Sequence, residues 1–230
     1  MIRLNKYIAS SGVCSRRKAD DIIKEKRVTI NGEIVVDLSS QVDENKDTVL
    51  VDGKKITLEN KKVYLMLNKP VGYVTTNSEQ FGRKSTSELI HESVRVFPIG
   101  RLDMDSEGLL LFTNDGDFSN KLMHPSKKIK KTYIVKLNRK ITDDKIELLK
   151  NGVDIVGYIT KEAQVEKIAS NVIQIAIFEG KNRQIRRMCE AVGLRVIKLK
   201  RIKIGNIELG NLPIGKYRYL NQNELKEVFK

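Results

Sequence analysis

Only two cysteines occur in the 230 residues, Cys14 and Cys189, together with only two histidines. That is too few thiols for a disulfide framework, and no ligand-type spacing surrounds either cysteine, which excludes zinc as an organising element. Long apolar runs are missing as well: no stretch approaches the roughly 20 residues a membrane-spanning helix requires. The opening Met1-Ile2-Arg3-Leu4-Asn5-Lys6 has no hydrophobic region of a secretory signal, which predicts a cytoplasmic protein with reduced thiols. Low-complexity tracts, long disordered stretches and internal repeats are absent too. Negative charge is scarce: 29 Asp+Glu face 43 Lys+Arg, a net +14. An excess of that size asks for a polyanionic partner, nucleic acid before anionic membrane. A hydrophobic content of 40% supplies a core, and the length allows one large domain or a small one plus a medium one.

In the N-terminal stretch, Leu4, Tyr7 and Ile8 recur at helical spacing up to a stop at Ser10-Ser11-Gly12. Ser15 is positioned to cap a second helix with Ala19, Ile22 and Ile23 on one side. The first turn of that helix is Arg16-Arg17-Lys18. Cations there oppose the helix dipole at roughly 0.3–1 kcal/mol each, so helix stability does not explain them. Phosphate binding does, with a solvated charged face as the plainer alternative. Asn31-Gly32 lies between Val28-Thr29-Ile30 and Ile34-Val35-Val36, and Asp52-Gly53 lies between Val49-Leu50-Val51 and Lys54-Lys55-Ile56; both pairs are hairpin signals. Residues 1–58 therefore read as a small module, 59–62 as a polar linker, and 63–230 as a larger domain.

In the larger domain, Val63–Asn68 reads as a strand running into a Lys69-Pro70-Val71-Gly72 turn, and Ser85–Ile90 as a short helix. The stretch Phe97-Pro98-Ile99-Gly100-Arg101-Leu102-Asp103-Met104-Asp105-Ser106-Glu107-Gly108 reads as loop, ahead of a buried strand Leu109–Thr113. Asp103 is then a carboxylate held at a sheet edge, either reactive or a turn and ion-pair residue. A helix carrying Phe118, Leu122 and Met123 stops at His124-Pro125, where the histidine reads as structural. The basic run Lys127–Lys131 leads into a strand with Tyr133, either a strand aromatic or a base-stacking ring beside a phosphate track. Ile141–Lys150 reads as a helix, and Gly157–Ile168 with Val172–Phe178 as a β pair. Ile185, Met188, Cys189 and Val192 mark an amphipathic helix stopped by Gly193, with Arg183 and Arg186 sharing a side away from the apolar stripe. This is a basic surface helix, or one that brings an arginine to a reactive carboxylate. Val196–Leu199 and Ile202–Ile207 read as closing strands and Asn221–Lys230 as a terminal helix.

Two sets of motifs resemble known families. Arg3-Leu4-Asn5-Lys6-Tyr7-Ile8, Cys14-Ser15-Arg16-Arg17-Lys18-Ala19-Asp20 and Val28-Thr29-Ile30-Asn31-Gly32 resemble the S4 RNA-binding domain. Lys69-Pro70-Val71-Gly72-Tyr73, Ile99-Gly100-Arg101-Leu102-Asp103, Lys131-Thr132-Tyr133, Gly180–Met188 and Val196–Arg201 resemble, in this order, the bacterial ribosomal pseudouridine synthases of the RsuA type. Within that family the motifs look nearest to its large-subunit (23S rRNA) members. The resemblance implies an α+β fold: an S4 domain of helices plus β hairpins, then a synthase domain with a mainly antiparallel mixed sheet flanked by helices. It implies conversion of uridine to pseudouridine in a flipped-out nucleotide, without metal or other cofactor.

By the same resemblance Asp103 is the catalytic carboxylate, Arg186 pairs with it, and Tyr133 stacks on the uracil. Leu102 and Leu199 wall the pocket, with Arg101 and Lys131 facing the RNA. Arg3, Lys6, Arg16, Arg17, Lys18, Lys127, Lys128, Arg183 and Arg187 are the expected RNA contacts. The implied partner is structured RNA, ribosomal RNA first and transfer RNA as a further candidate, with no membrane; a monomer is expected. The chain ends without the basic tail of some relatives, which bears on affinity for extended rRNA. Two other readings stand beside this one: a non-catalytic S4-type assembly protein, and an N-glycosidase using Asp105 or Glu107 to activate water.

Overall fold

Asn31-Gly32 and Asp52-Gly53 form the tight turns their sequences predict, all four residues having positive φ (52°, 90°, 50° and 76°). That geometry matches the right-handed twist of the flanking strands. In the computed structural model, which describes residues 1–76 and 82–229, these turns lie in the first of two units. It comprises Met1–Val63 with Glu92–Val96 and Asn114–Gly116. Its elements are β1 (Ile2–Arg3), α1 (Leu4–Ser10), α2 (Arg16–Lys24), β2 (Val28–Ile30), β3 (Glu33–Ile34), β4 (Gln41–Val42), β5 (Val49–Val51) and β6 (Lys54–Ile56). β3-β2-β5-β6 form one small sheet and β1-β4 another, over a core of Leu4, Tyr7, Ile8, Ala19, Ile22, Ile23, Val28 and Val49. Ser15 caps α2 as expected, its Oγ accepting from the Lys18 N–H at 3.2 Å.

The second unit holds β7 (Tyr64–Lys69), β8 (Phe97–Ile99), β9 (Glu107–Thr113), α3 (Gly116–Met123), β10 (Lys131–Leu137), α4 (Asp143–Asn151), β11 (Gln164–Ala169), β12 (Val172–Ile177), α5 (Gln184–Ala191), β13 (Val196–Ile204), β14 (Ile207–Glu208), β15 (Tyr217–Tyr219) and α6 (Gln222–Glu227). The sheet runs β11-β12-β10-β13-β9-β7-β15, with β14 on β13 and β8 on β9. Only β13–β9 is parallel, so the sheet is the mixed, mainly antiparallel one expected.

Several boundaries move. Phe97–Ile99 is a short strand rather than loop; Pro98 is tolerated because β8 has a ladder partner on one side only. The gap expected between the two closing strands is not there, since β13 continues through Lys200 and Arg201 to Ile204, while Ile207 falls beyond a turn in β14. Residues 157–163 are not part of β11, and Ser85–Ile90 contains a 3₁₀ turn over Thr86–Leu89 capped by Ser85. The terminal helix is shorter than expected, and Lys230 lies outside the described residues.

β9 is buried along its whole length, and Leu109, Leu110, Leu111 and Phe112 each contribute roughly 1.5–3 kcal/mol by leaving water. β7 pairs with β9 from Gly108 to Thr113 on one side. The other side is divided: β13 takes Glu107 and Gly108, and β8 takes Phe112, Thr113 and Leu111. β13 and β8 thus part company around Leu109–Leu110, and the chain between β8 and β9 is delivered into that fork. Gly108 makes the parallel contact possible: at φ 104° an added Cβ would fall on the Arg201 carbonyl oxygen and 2.8 Å from the Arg201 nitrogen. Gly108→Ala should therefore cost more than the ~1–3 kcal/mol of the backbone strain alone, read as a fall in Tm. A melting temperature equal to wild type would show that β13 is not held this closely.

Candidate active site

A cleft of about 640 Å³ opens in the second unit, between the residues that follow β8 and the strands β10 and β13. Ile99, Leu102, Leu122, Ile177 and Leu199 give it apolar walls; Asp103, Lys131, Tyr133, Arg183 and Arg201 bring the polar groups.

The backbone of the Asp103 loop is held at every carbonyl from Arg101 to Ser106. Arg201 Nη1 donates to Arg101 O at 3.4 Å, and Thr75 Oγ1 to Leu102 O at 2.8 Å. Asp103 O accepts from Lys69 Nζ and from the Ser106 N–H, both at 3.0 Å. The Gly72 N–H reaches Met104 O at 2.8 Å, Arg186 Nη2 reaches Asp105 O at 2.8 Å, and Lys69 Nζ reaches Ser106 O at 2.7 Å. Side chains from β7, from the turn after it, from α5 and from β13 converge on one seven-residue connection. Such pinning fixes where a carboxylate sits before any substrate arrives.

The two carboxylates of the loop are treated differently. Asp105 receives a fork from Arg183, at 3.1 and 3.0 Å, and its Oδ2 lies 3.3 Å from Arg186 Nη2. Burial pushes its pKa up, but the Arg183 hydrogen bonds and the charges of Arg186 and Arg183 outweigh this and hold it below the usual carboxylate range. Asp103 is 29% exposed at its side chain, and its ion-pair neighbour is Arg183 at 3.9 Å. The expected pairing of Arg186 with Asp103 is therefore corrected. Arg186 is buried and directed at Asp105, at Ser106 Oγ (3.4 Å) and at Val196 O (3.4 Å). Helical spacing brings Arg186 to this loop but does not tell apart two carboxylates two residues from one another.

Tyr133 and Leu199 line the cleft from β10 and β13, and Leu102 from the loop, all three buried. Arg101, Lys128 and Arg183 are exposed at its mouth; Arg183 precedes α5 in left-handed conformation, φ 49°. Lys131 is half-buried, its Nζ 3.3 Å from Ile129 O, and burial together with nearby Arg201 lowers its pKa. Lys127 is exposed on a 3₁₀ turn. Arg187 is half-buried, and its guanidinium donates to Ile155 O, which ties the 155 loop to α5. His124, read as structural, shares a 2.7 Å hydrogen bond with Ser126 at the cleft edge. On the first unit Arg3, Arg16, Arg17 and Lys18 are exposed and Lys6 is half-buried; Arg16 also reaches Asn5 Oδ1 at 3.4 Å.

Three groups escaped the reading of site residues. Lys69 is fully buried and its Nζ also donates to Pro70 O at 3.0 Å; burial lowers its pKa to about 8 against the opposing pull of Asp103 and Asp105. Thr75 holds Leu102 through both its N–H and its carbonyl. Arg201 is buried at the fork. The available signal was a cation closing an apolar strand, which is costly unless its donors are used. Among the described residues, no group of three or more His, Cys, Asp or Glu is placed to hold a metal ion, and no helix is long and apolar enough to cross a membrane.

Comparison with known proteins agrees with this architecture. The family model described as RNA pseudouridylate synthase matches residues 63–191, and the S4 domain model matches residues 2–48. The chain is 43% identical to the dual-specificity RNA pseudouridine synthase RluF of Escherichia coli K12, over 100% of this chain and 79% of that protein. It is 40% identical to the ribosomal large subunit pseudouridine synthase B of Bacillus subtilis, over 99% of this chain and 96% of that one. The crystal structure of a pseudouridylate synthase, 31% identical, matches with a TM-score of 0.73 over 99% of this chain and 100% of that one. With the pinned carboxylate loop, the apolar cleft and an S4 module in one chain, the protein belongs to the RNA pseudouridine synthases of the RsuA type, which are isomerases.

Proposed function

We propose that the chain converts a specific uridine of ribosomal RNA, in the 23S molecule, to pseudouridine, with Asp103 as the catalytic carboxylate. The observation that carries this is the Asp103 loop: its backbone is fixed at six successive carbonyls while the Asp103 side chain is left beside an apolar cleft. The target leaves its stack at a cost of a few kcal/mol and enters between Leu102, Tyr133 and Leu199. Tyr133 stacks on the uracil. Asp103 acts at the reacting nucleotide as nucleophile and later shuttles a proton. Arg186 positions Asp103 through the Asp105 backbone and carboxylate rather than by touching it. Arg101, Lys127, Lys128, Lys131 and Arg183 meet the RNA around the mouth. No cofactor is required, because breaking N1–C1′ and forming C5–C1′ involves no net oxidation.

The test is tritium release from 5-tritiated uridine in unmodified 23S rRNA, since the C5 proton leaves only when C5 becomes bonded to the ribose. Release supports the reading, and mapping then locates the uridine. Tight binding without release from 23S, 16S or transfer RNA would favour a binding protein instead.

We also assign residues 1–58 to RNA capture and 63–230 to chemistry, joined through 59–62. The support is the basic first turn of α2, exposed and without an acidic residue. Arg16→Glu with Arg17→Glu should weaken RNA binding at least about tenfold and reduce the salt slope of binding by about two. The single-turnover rate at saturating RNA should stay within about twofold of wild type. A collapse of that rate would put the S4 module inside the chemical step.

A further inference from the structure

Arg201 is 3% exposed, yet it lines the cleft. Two of its three nitrogens are used by the fold. Nε donates to Leu109 O at 2.7 Å, the carbonyl at the point where β13 and β8 separate along β9, and Nη1 donates to Arg101 O at 3.4 Å. The third, Nη2, is buried without a hydrogen-bond partner. The guanidinium carbon stands 6.0 Å from the centre of the Tyr133 ring. Among the described residues, the partners of Arg201 are thus neutral carbonyls and an aromatic face. A desolvated cation with an idle donor is costly to keep unless something complements it in the working state.

We propose that Arg201 holds the reacting uracil, Nη2 donating to one of its carbonyl oxygens and stabilising the negative charge the base carries while it is detached from the ribose. The proposal rests on the reading of this cleft as the uridine-isomerising site. Depth distinguishes the base from a phosphate as the ligand. The cations at the mouth, Arg101, Lys128 and Arg183, are exposed and suited to the RNA backbone, whereas Arg201 lies on the floor beside Tyr133. A flipped nucleotide puts its base deepest and leaves its phosphates outside.

The chemistry gives such a donor work to do. When the N1–C1′ bond breaks, its electron pair goes to the uracil, and the charge spreads over N1 and the two carbonyl oxygens. C5 then uses an electron pair of the base to bond C1′, displacing the Asp103 oxygen that took the place of N1 there; the freed carboxylate takes the C5 proton, and N1 takes up a proton. The base is therefore anionic only between the two bonds. A donor fixed in advance in a dry site favours that interval over the neutral base that precedes it.

The experiment compares single-turnover reaction of saturating RNA carrying uridine or 5-fluorouridine at the target, in wild type and Arg201→Gln, read by nucleoside chromatography. With fluorine at C5 there is no proton to lose once C5 bonds C1′, so the product read is the C5-linked nucleoside that keeps its fluorine and takes up water at C6. Fluorine at C5 draws charge out of the detached base, so it needs less help from the protein. Arg201→Gln should slow the uridine substrate by about 10²-fold, the typical cost of one such donor. It should slow the fluorinated one by less than about tenfold, with RNA affinity retained. Equal slowing of both substrates would show that Arg201 only braces the Asp103 loop, and a loss of affinity with a reduced salt slope would make it a phosphate contact; either result overturns the proposal. If Arg201→Gln does not fold, Arg201→Lys, which keeps charge and one donor, carries the same comparison between substrates. A wild-type enzyme inactive on uridine RNA defeats the reading of the cleft itself, and does so before any variant is made.

Discussion

Asp103→Asn should lower tritium release from 23S rRNA by 10⁴-fold or more while leaving Tm and RNA affinity as in wild type. The size follows from removing the reacting group itself rather than one of its supports. The selectivity follows from how the residue is held. The loop is fixed through the Asp103 carbonyl, which the substitution keeps, and the side chain is 29% exposed with its ion-pair neighbour 3.9 Å away. An amide of the same shape therefore disturbs little besides the chemistry. Asp105→Asn is the matching control. It loses the charge that Arg183 and Arg186 embrace, leaving the buried Arg186 without its anion. That should lower Tm and cost a smaller, measurable share of rate, about 10–10²-fold, because the loop is displaced but Asp103 survives. If Asp103→Asn kept release within tenfold and Asp105→Asn abolished it on a folded protein, the two carboxylates would have to exchange roles.

The contrast between these two aspartates also marks where the sequence stops being informative. Local chemistry was legible: Asn31-Gly32 and Asp52-Gly53 determine their own turns, Ser15 its own helix cap, and the Leu109–Phe112 run its own burial. The spacing of Ile185, Met188 and Cys189 likewise puts their side of α5 inside. Pairings across the chain were not legible. Arg186 and Asp105 are 81 positions apart, and nothing local distinguishes Asp105 from Asp103 as the partner. Charges also hid secondary structure. Lys200 and Arg201 divided β13 into two expected strands because a strand interior is normally apolar, while Arg201 is accommodated only by carbonyls supplied at a fork 92 positions away. Pro98 disguised β8 for the related reason that a proline argues against a strand unless one side of the ladder is free.

Lys69→Met should cut the rate at saturating RNA by 10²–10³-fold and lower stability by about 3 kcal/mol, because it leaves buried carbonyls without their donor. The wild-type ammonium serves Pro70 O, Asp103 O and Ser106 O at 3.0, 3.0 and 2.7 Å, with Met104 O at 3.5 Å. Three of those carbonyls belong to the catalytic loop, so the same contacts that stabilise the fold aim Asp103. Titration separates the two effects. Burial lowers the Lys69 pKa from 10.5 to about 8. Between those values the unfolded chain keeps its proton on this residue and the folded chain does not, so Lys69 alone makes unfolding harder as pH rises through that window. Its hydrogen bonding changes in the other direction: the neutral amine has one donor fewer and turns a lone pair toward a carbonyl. The wild-type rate at saturating RNA should therefore fall as pH rises through about 8, while the protein stays folded. The residual activity of Lys69→Met should lack that alkaline limb. Rate and Tm measured together across pH 6–10 decide the matter. An alkaline limb of equal midpoint in both proteins would assign the titration to another group and reduce Lys69 to a structural cation. Its loss in the variant alone would show that a buried ammonium sets the geometry of the carboxylate through three backbone oxygens, without touching the carboxylate itself.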